Sequence, residues 1–485
     1  MAGFARQAVI LSLSRMANYG LMIISPIILV RVLTVGDFGH YREFLLYASL
    51  LQSVASFSIS DSLLYFIPAH PASSWRVVRE TAILTAAVST CIIVGFYILD
   101  LVTGGALVGQ YRLPVALYVL LFVNVDFWES FWLATHRTAR VFIYTASRLI
   151  VRMLVVVGVA VLTNDVATII WSLIALEGVR CIAFAGVWAV MDRGAQEPPI
   201  ENIRRDQLRF FIPVGLASLL YLVSRNLGSI VVVKWLGAAA LAQMTIGTYG
   251  EPVILALRNS LSTAMLPELV RRGTQSAAAP LQLWRRTTVV NCVLLFPAVV
   301  LLAWFAEPLV FKVFGLRYRA AVPVMQMFTL VIVAACFDFS PPLRAINKTR
   351  PLVTSNLVAA IVSVVALIFL VPAAGLVGAT LALVVASFVE DAYRAWAVAR
   401  LYRVTLGELL PWKRTAQVAL CALVAAVPVV AVTWQGRGGF AGVIFGSLFY
   451  LALFAVLLMA TGVEEAITLA RRVRASLAIA AFGGR

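Results

Sequence analysis

Polarity along the chain is organised on one length scale, with long apolar runs separated by short polar breaks. Fourteen such runs stand out, at 7–31, 41–66, 77–99, 112–135, 141–163, 167–190, 207–233, 241–264, 286–306, 322–345, 351–371, 375–400, 412–434 and 439–460. About 20 apolar residues are what a helix needs to cross a hydrocarbon core of roughly 30 Å. A run in lipid must be helical, because it has to satisfy its own backbone. The pattern therefore predicts an all-α polytopic membrane protein with about 14 transmembrane helices. The stretches 141–190 and 351–400 each admit more than one division. The breaks are all short, so no inserted soluble domain is expected. Met1–Arg6 leads straight into the first run without a small-residue cleavage site, so no cleavable signal peptide is expected.

Composition supports the same class. The chain is 62% hydrophobic and 13% charged, about half the charge of an ordinary soluble domain. Its formal charge of +17 invites a nucleic-acid reading, but the distribution points elsewhere. With the N-terminus cytoplasmic, that side holds 25 of the 39 Lys and Arg, the opposite loops hold 8, and 6 lie inside runs. Such a bias is the positive-inside rule, and it makes anionic membrane lipid the expected surface partner rather than nucleic acid. Both termini are then cytoplasmic, in a bacterial inner membrane, with Arg471, Arg472 and Arg474 on a basic surface tail.

Catalytic chemistry finds little support. The five cysteines lie far apart within apolar runs, and His40, His70 and His136 each stand alone at a run end. No metal-ligand spacing, phosphate loop or nucleophile motif is present. No catalytic residue, metal or cofactor is expected.

The runs repeat. Val30-Arg31-Val32-Leu33-Thr34 ends the first run, and Val233-Lys234-Trp235-Leu236-Gly237 ends the seventh. Thr138-Ala139-Arg140-Val141-Phe142 opens the fifth, and Lys348-Thr349-Arg350-Pro351-Leu352 opens the eleventh at a similar offset. Six helices per copy give parallel repeats, as in many transporters with a substrate site between two lobes. The predicted organisation is an N-lobe at 1–190, a cytoplasmic linker at 191–206, a C-lobe at 207–400, two further helices within 401–460, and a basic tail at 461–485.

The segment from Arg31 to Phe44, RVLTVGDFGHYREF, resembles the first loop of the polysaccharide-transporter (Wzx-type oligosaccharide flippase) branch of the MATE-like, or MOP, exporter superfamily. The helix ending Ser60-Asp61-Ser62-Leu63-Leu64-Tyr65-Phe66-Ile67-Pro68 is similar to that family's second helix. Glu251-Pro252 and Leu266-Pro267-Glu268-Leu269 are similar to the second-copy version. Length, span count and the repeat agree, so the resemblance covers essentially the whole chain. It implies an inner-membrane protein that moves undecaprenyl-diphosphate-linked sugar units outward by alternating access.

Arg15, Arg148, Arg152, Arg180, Arg225 and Arg258 lie inside apolar runs. Each needs a partner or a wet cavity. A guanidinium matches the planar oxygen forks of a diphosphate, so these arginines are candidate diphosphate ligands, with Arg15, Arg225 and Arg258 foremost. Structural pairing is the competing explanation. Glu177 and Arg180 are three apart on one helix, and Asp126 and Glu129 are spaced to face Arg148 and Arg152. The resemblance adds that lipid II flippases use cavity arginines on their first and eighth helices, which Arg15 and Arg258 match by span. Asp126, Glu251 and Asp338 are candidates for a coupling ion or for the cavity wall, and Asp61 reads as a solvated cap. Trp128, Trp132 and Tyr144 fit helix packing or sugar stacking.

The resulting expectation is a flippase for lipid-linked oligosaccharide in lipopolysaccharide, capsule or exopolysaccharide synthesis, partnered by polymerase or assembly proteins. Two other readings stay open: a MATE-like drug or cation antiporter, and a polymerase or ligase of the same pathway.

Overall fold

A computed structural model of the protein describes residues 24–135, 137–192, 197–198, 202–273, 279–346, 348, 350–433, 440–465 and 467. Most of the first expected span, with Arg15, and nearly all of the basic tail lie outside these residues. Among the described residues, nine helices are long and apolar enough to cross a membrane, or ten if one bent pair counts as a span. Their outer faces carry large apolar side chains open to the surroundings, including Leu162, Ile182, Phe369 and Phe445. In water such patches would drive aggregation; in lipid they are the solvated surface.

The chain divides into two compact units, Met1–Ala242 and Gln243–Arg485. In the first unit the helices are α1 (Val35–Ser56), α2 (Leu63–Ala69), α3 (Ser74–Val102), α4 (Arg112–Ala134), α5 (Thr138–Thr163), α6 (Val166–Asp192) and α7 (Ile203–Leu236). The family-like first loop is the start of α1. Thr34 Oγ1 accepts from the Asp37 backbone N–H at 3.1 Å and donates to Asp37 Oδ2 at 2.6 Å, capping the helix. Gly39 follows because a β-carbon there would collide with the Ala238 carbonyl just after α7. The expected span 41–66 is bent by 51° at residues 57–59, between α1 and α2, and Asp61 is exposed in the turn there.

The structure groups α7 with the first unit, although the sequence repeat assigns it to the second copy. The contacts are polar and specific. Arg204 Nε donates to Glu80 at 2.5 Å, Gln207 Nε2 to Thr81 Oγ1 at 2.7 Å, and Lys234 Nζ to the Ala106 carbonyl at 2.8 Å. Glu197, in the linker, accepts from the Trp75 and Arg76 backbone N–H groups at 3.1 and 2.7 Å. It thereby places a carboxylate on the positive N-terminal end of α3.

The boundary divides α8 (Ala238–Gly247) in half, and the second unit continues with α9 (Glu251–Gly273), α10 (Ala279–Leu309), α11 (Ala321–Ala335), α12 (Ser340–Ala345), α13 (Arg350–Tyr402), α14 (Leu406–Leu409), α15 (Trp412–Thr433) and α16 (Phe440–Ala460). Two expected spans are interrupted. The run 241–264 is divided at 248–250 between α8 and α9, and 322–345 is divided at 336–339 between α11 and α12. α13, at 53 residues, is two helices joined at Gly375, whose φ of 55° lies in the left-handed region. Thr354 Oγ1 bonds the Tyr393 hydroxyl at 3.0 Å, and Arg394 donates to Ser355 and Asn356 at 2.9 and 2.8 Å. These pairings are symmetric about Gly375, so the two helices run antiparallel and Gly375 is the tip.

The repeat is visible in the helix plan. α1 and α8 begin at the same offset that separates the echoing residues Arg31 and Lys234. The α5–α6 hairpin turns at Asn164, φ 50°, and the second-copy hairpin at Gly375, close to the offset between Arg140 and Arg350. Short 3₁₀ turns at Gly109–Tyr111 and Leu316–Tyr318 introduce α4 and α11 at equivalent places.

Candidate functional site

Each unit carries a network of charged side chains, half-buried among apolar helices. In the first unit it joins α4, α5 and α6. Arg148 Nη1 lies 3.0 Å from Asp126 Oδ1, and its Nη2 lies 3.9 Å from Glu129. Arg180 Nη1 meets Glu177 at 2.5 Å, and its Nη2 reaches Asp126 at 3.9 Å and the Phe122 carbonyl at 3.4 Å. The Phe122 ring lies under both guanidinium groups, at 5.5 Å from Arg148 and 4.9 Å from Arg180. Arg152 stands apart. It sits 5.9 Å over the Tyr118 ring, with Tyr41 and Glu177 nearby. Among the described residues it makes no ion pair at salt-bridge distance. The expected two-against-two pairing is thus replaced by one arginine, Arg148, holding both Asp126 and Glu129. Arg180 and Glu177 pair as their spacing requires.

In the second unit Asp338 occupies the break between α11 and α12, 6% exposed. Ser262 Oγ donates to its Oδ2 at 2.5 Å, and the Ser340 N–H and Oγ donate to Oδ1 at 3.0 and 2.7 Å. Arg258 is the cation that Asp338 faces, and Asp391 faces it too. The Arg258 Nε is buried, with no hydrogen-bond partner among the described residues. Arg394 pairs with Glu390 and lies 3.9 Å from Asp391. Glu390, Asp391 and Arg394 were missed at the sequence level. Their signal was a charged trio at helical spacing inside the apolar run 375–400.

The remaining expected residues fall as follows. Arg225 is half-buried on α7, and Glu251 is the first residue of α9. Arg15 lies outside the described residues. At the far end of α9, Glu268 of the family-like motif accepts from Arg271 and Arg272 at 2.7–2.8 Å. Those hydrogen bonds hold its carboxyl down to about 2. Trp128 is 1% exposed and packs among Trp75, Phe184 and Trp188, so its role is helix packing rather than sugar stacking. Among the described residues no cluster of His, Cys, Asp and Glu is arranged to hold a metal ion.

Solved structures define the class of this architecture. A lipid II flippase in an inward closed conformation superimposes with a TM-score of 0.72 at 12% identity, over 95% of this chain and 99% of that one. A MATE transporter of Vibrio cholerae gives 0.55 at 12% identity, over 83% and 98%. An inward-facing multidrug resistance MATE family transporter of the MOP superfamily gives 0.51 at 14%, over 82% and 99%. At these identities the likeness is one of fold, and it makes the chain a multi-pass membrane protein of the MATE-like exporter architecture. No curated protein matches the chain in sequence. Residues 28–323, more than half of the chain, match the family described as "Polysaccharide biosynthesis protein", and the chain belongs to that family.

Proposed function

We propose that the protein is a flippase for undecaprenyl-diphosphate-linked oligosaccharide, serving polysaccharide assembly from the bacterial inner membrane with both termini cytoplasmic. The observation that carries this reading is membership of a polysaccharide-biosynthesis family by a chain with the exporter fold. An exporter in such a pathway has a lipid-linked sugar as its natural cargo, and the half-buried arginines suit the cargo's diphosphate. Arg258, with a buried Nε that has no hydrogen-bond partner among the described residues, and Arg152, which makes no ion pair at salt-bridge distance among them although Glu177 is nearby, are the better supported ligands in their units. Arg15 and Arg225 complete the proposed set. Arg148 is already neutralised by Asp126 and Glu129, so its contribution is to hold the fold around Arg152. The lobes rock, the sugars traverse the polar interior and the prenyl tail remains in lipid. Asp126, Glu251 and Asp338 are the proposed cavity or coupling acids.

The antiporter reading is weaker, because the family to which the chain belongs is one of polysaccharide biosynthesis. The test is depletion of the protein followed by an impermeant sugar-oxidising label on membrane vesicles of known orientation. Lipid-linked sugar trapped on the cytoplasmic leaflet is the expected result. Normal appearance on the periplasmic leaflet would overturn the proposal.

A further inference from the structure

A pocket of about 330 Å³ opens in the first unit where α1, α4 and α6 begin, away from the arginine network. Its wall is formed by His40, Gln110, Tyr111, Pro114, Ile170 and Trp171. The volume falls in the range of small-molecule sites, which pair an apolar wall with a few fixed polar groups. Here the apolar wall is the Trp171 ring, 46% exposed, together with Ile170 and Pro114.

The polar groups are held by a relay. Tyr47 Oη donates to Glu43 Oε1 at 3.1 Å, Glu43 Oε2 lies 3.4 Å from His40 Nδ1, and the same Nδ1 lies 2.9 Å from Tyr111 Oη. Tyr111 is 6% exposed, which fixes the far end of the relay. Among the described residues the bonds of His40 all run through Nδ1, so Nε2 is left for a ligand. If Tyr111 donates to Nδ1, then Nε2 carries the hydrogen; if Nδ1 donates, then Nε2 accepts. A hydroxyl satisfies either state because it donates and accepts. A carboxylate or an ammonium satisfies only one, and an acyl chain satisfies neither. Gln110, exposed on the 3₁₀ turn, supplies a second donor–acceptor pair. An aromatic face with two amphoteric hydrogen-bonding groups is complementary to a sugar ring, which has an apolar C–H face and an edge of hydroxyls.

The second unit shows that this pocket is no automatic product of the repeat. Its equivalent 3₁₀ turn borders a cavity of about 760 Å³ lined by Glu307, Leu316, Arg317 and Arg319, without tryptophan or histidine. We propose that the first unit carries a neutral-sugar subsite formed by Trp171, His40 and Gln110. The identification of its natural occupant as the cargo's sugar rests on the proposed function.

The test uses the full-length purified protein in detergent, with rhamnose, galactose, N-acetylglucosamine and glycerophosphoethanolamine as probes in saturation-transfer NMR. At least one neutral sugar should bind. Trp171→Leu should weaken that signal about tenfold and Trp171→Phe less than about threefold, because stacking needs an aromatic face rather than apolarity alone. Trp396→Leu, an exposed tryptophan elsewhere, should change nothing. The subsite is overturned by absence of signal from all three sugars, by equal binding in Trp171→Leu, or by binding of glycerophosphoethanolamine alone. Sugar binding does not require transport, so the two readings fail separately. A wild-type protein that binds through Trp171 but moves no lipid-linked sugar would remove the function and leave the subsite.

Discussion

The two units share a helix plan but distribute charge differently. Asp126 on α4 has its counterpart in Asp338, and the Glu177–Arg180 pair recurs as Asp391–Arg394, both at nearly the offset of the sequence echoes. What surrounds that shared core differs. The first unit adds Arg148 and Arg152 from α5, where the second has Ala359 and Ser363. The second unit adds Arg258 from α9 and an additional acid, Glu390. The first network therefore counts three arginines against three carboxylates, and the second two against three. A balanced half-buried network holds its helices together, whereas the second, with one carboxylate in excess, remains able to take up a proton or a cation beside Arg258. The same contrast recurs where α4 and α11 begin. Asp100 is 0% exposed; it accepts from the Leu107 and Val108 N–H groups at 2.9 and 3.0 Å and from Arg112 at 2.6 Å. Glu307 and Arg319, which correspond to Asp100 and Arg112 at a common offset, line an open cavity and form no ion pair among the described residues. The two units keep the same helix plan and differ in how their charges pair.

That contrast can be broken by substitution. Glu177→Ala leaves Arg180 only the Phe122 carbonyl at 3.4 Å and Asp126 at 3.9 Å and should destabilise the protein by about 3 kcal/mol, read as a lower unfolding temperature in detergent. Asp391→Ala should do far less, since Glu390 still pairs with Arg394; equal losses would mean the two networks are energetically alike. Asp100→Ala should cost about 3 kcal/mol through its three lost hydrogen bonds, while Glu307→Ala should be nearly silent in the same assay. A large loss at Glu307 would show that the second unit's pair is closed after all. The hairpin tips give the smallest effect. Gly375→Ala should cost about 1 kcal/mol because alanine resists positive φ, and Gly375→Asn should cost less, since asparagine already serves at Asn164. An unchanged unfolding temperature in Gly375→Ala would remove the tip argument.

Much of the scaffold was legible in the sequence because lipid enforces a simple rule. An apolar run must be a helix, and two echoes, Arg31 with Lys234 and Arg140 with Arg350, located the repeat. The breaks at 57–59, 248–250 and 336–339 were not legible. Apolar composition continues through them, and the interruptions depend on tertiary partners such as the Ser262 and Ser340 hydroxyls gathered around Asp338. The polar contacts of α7 with α3 were hidden for a similar reason, since they depend on Arg204 and Gln207 finding Glu80 and Thr81 on a helix distant in sequence. Helical spacing revealed Glu177–Arg180, where both partners share one helix. It could not tell that Arg148 would hold both Asp126 and Glu129, because that choice is made by side-chain reach across two helices.

Movement of a sugar diphosphate lipid across the bilayer is the central claim, and reconstitution tests it directly. The purified protein is placed in vesicles carrying a radiolabelled undecaprenyl-diphosphate-linked sugar in one leaflet, and the protected fraction is followed in time. Transfer well above the protein-free rate, lost in Arg258→Ala at unchanged unfolding temperature, is the predicted result. Transfer at the protein-free rate by the folded wild-type protein would contradict it.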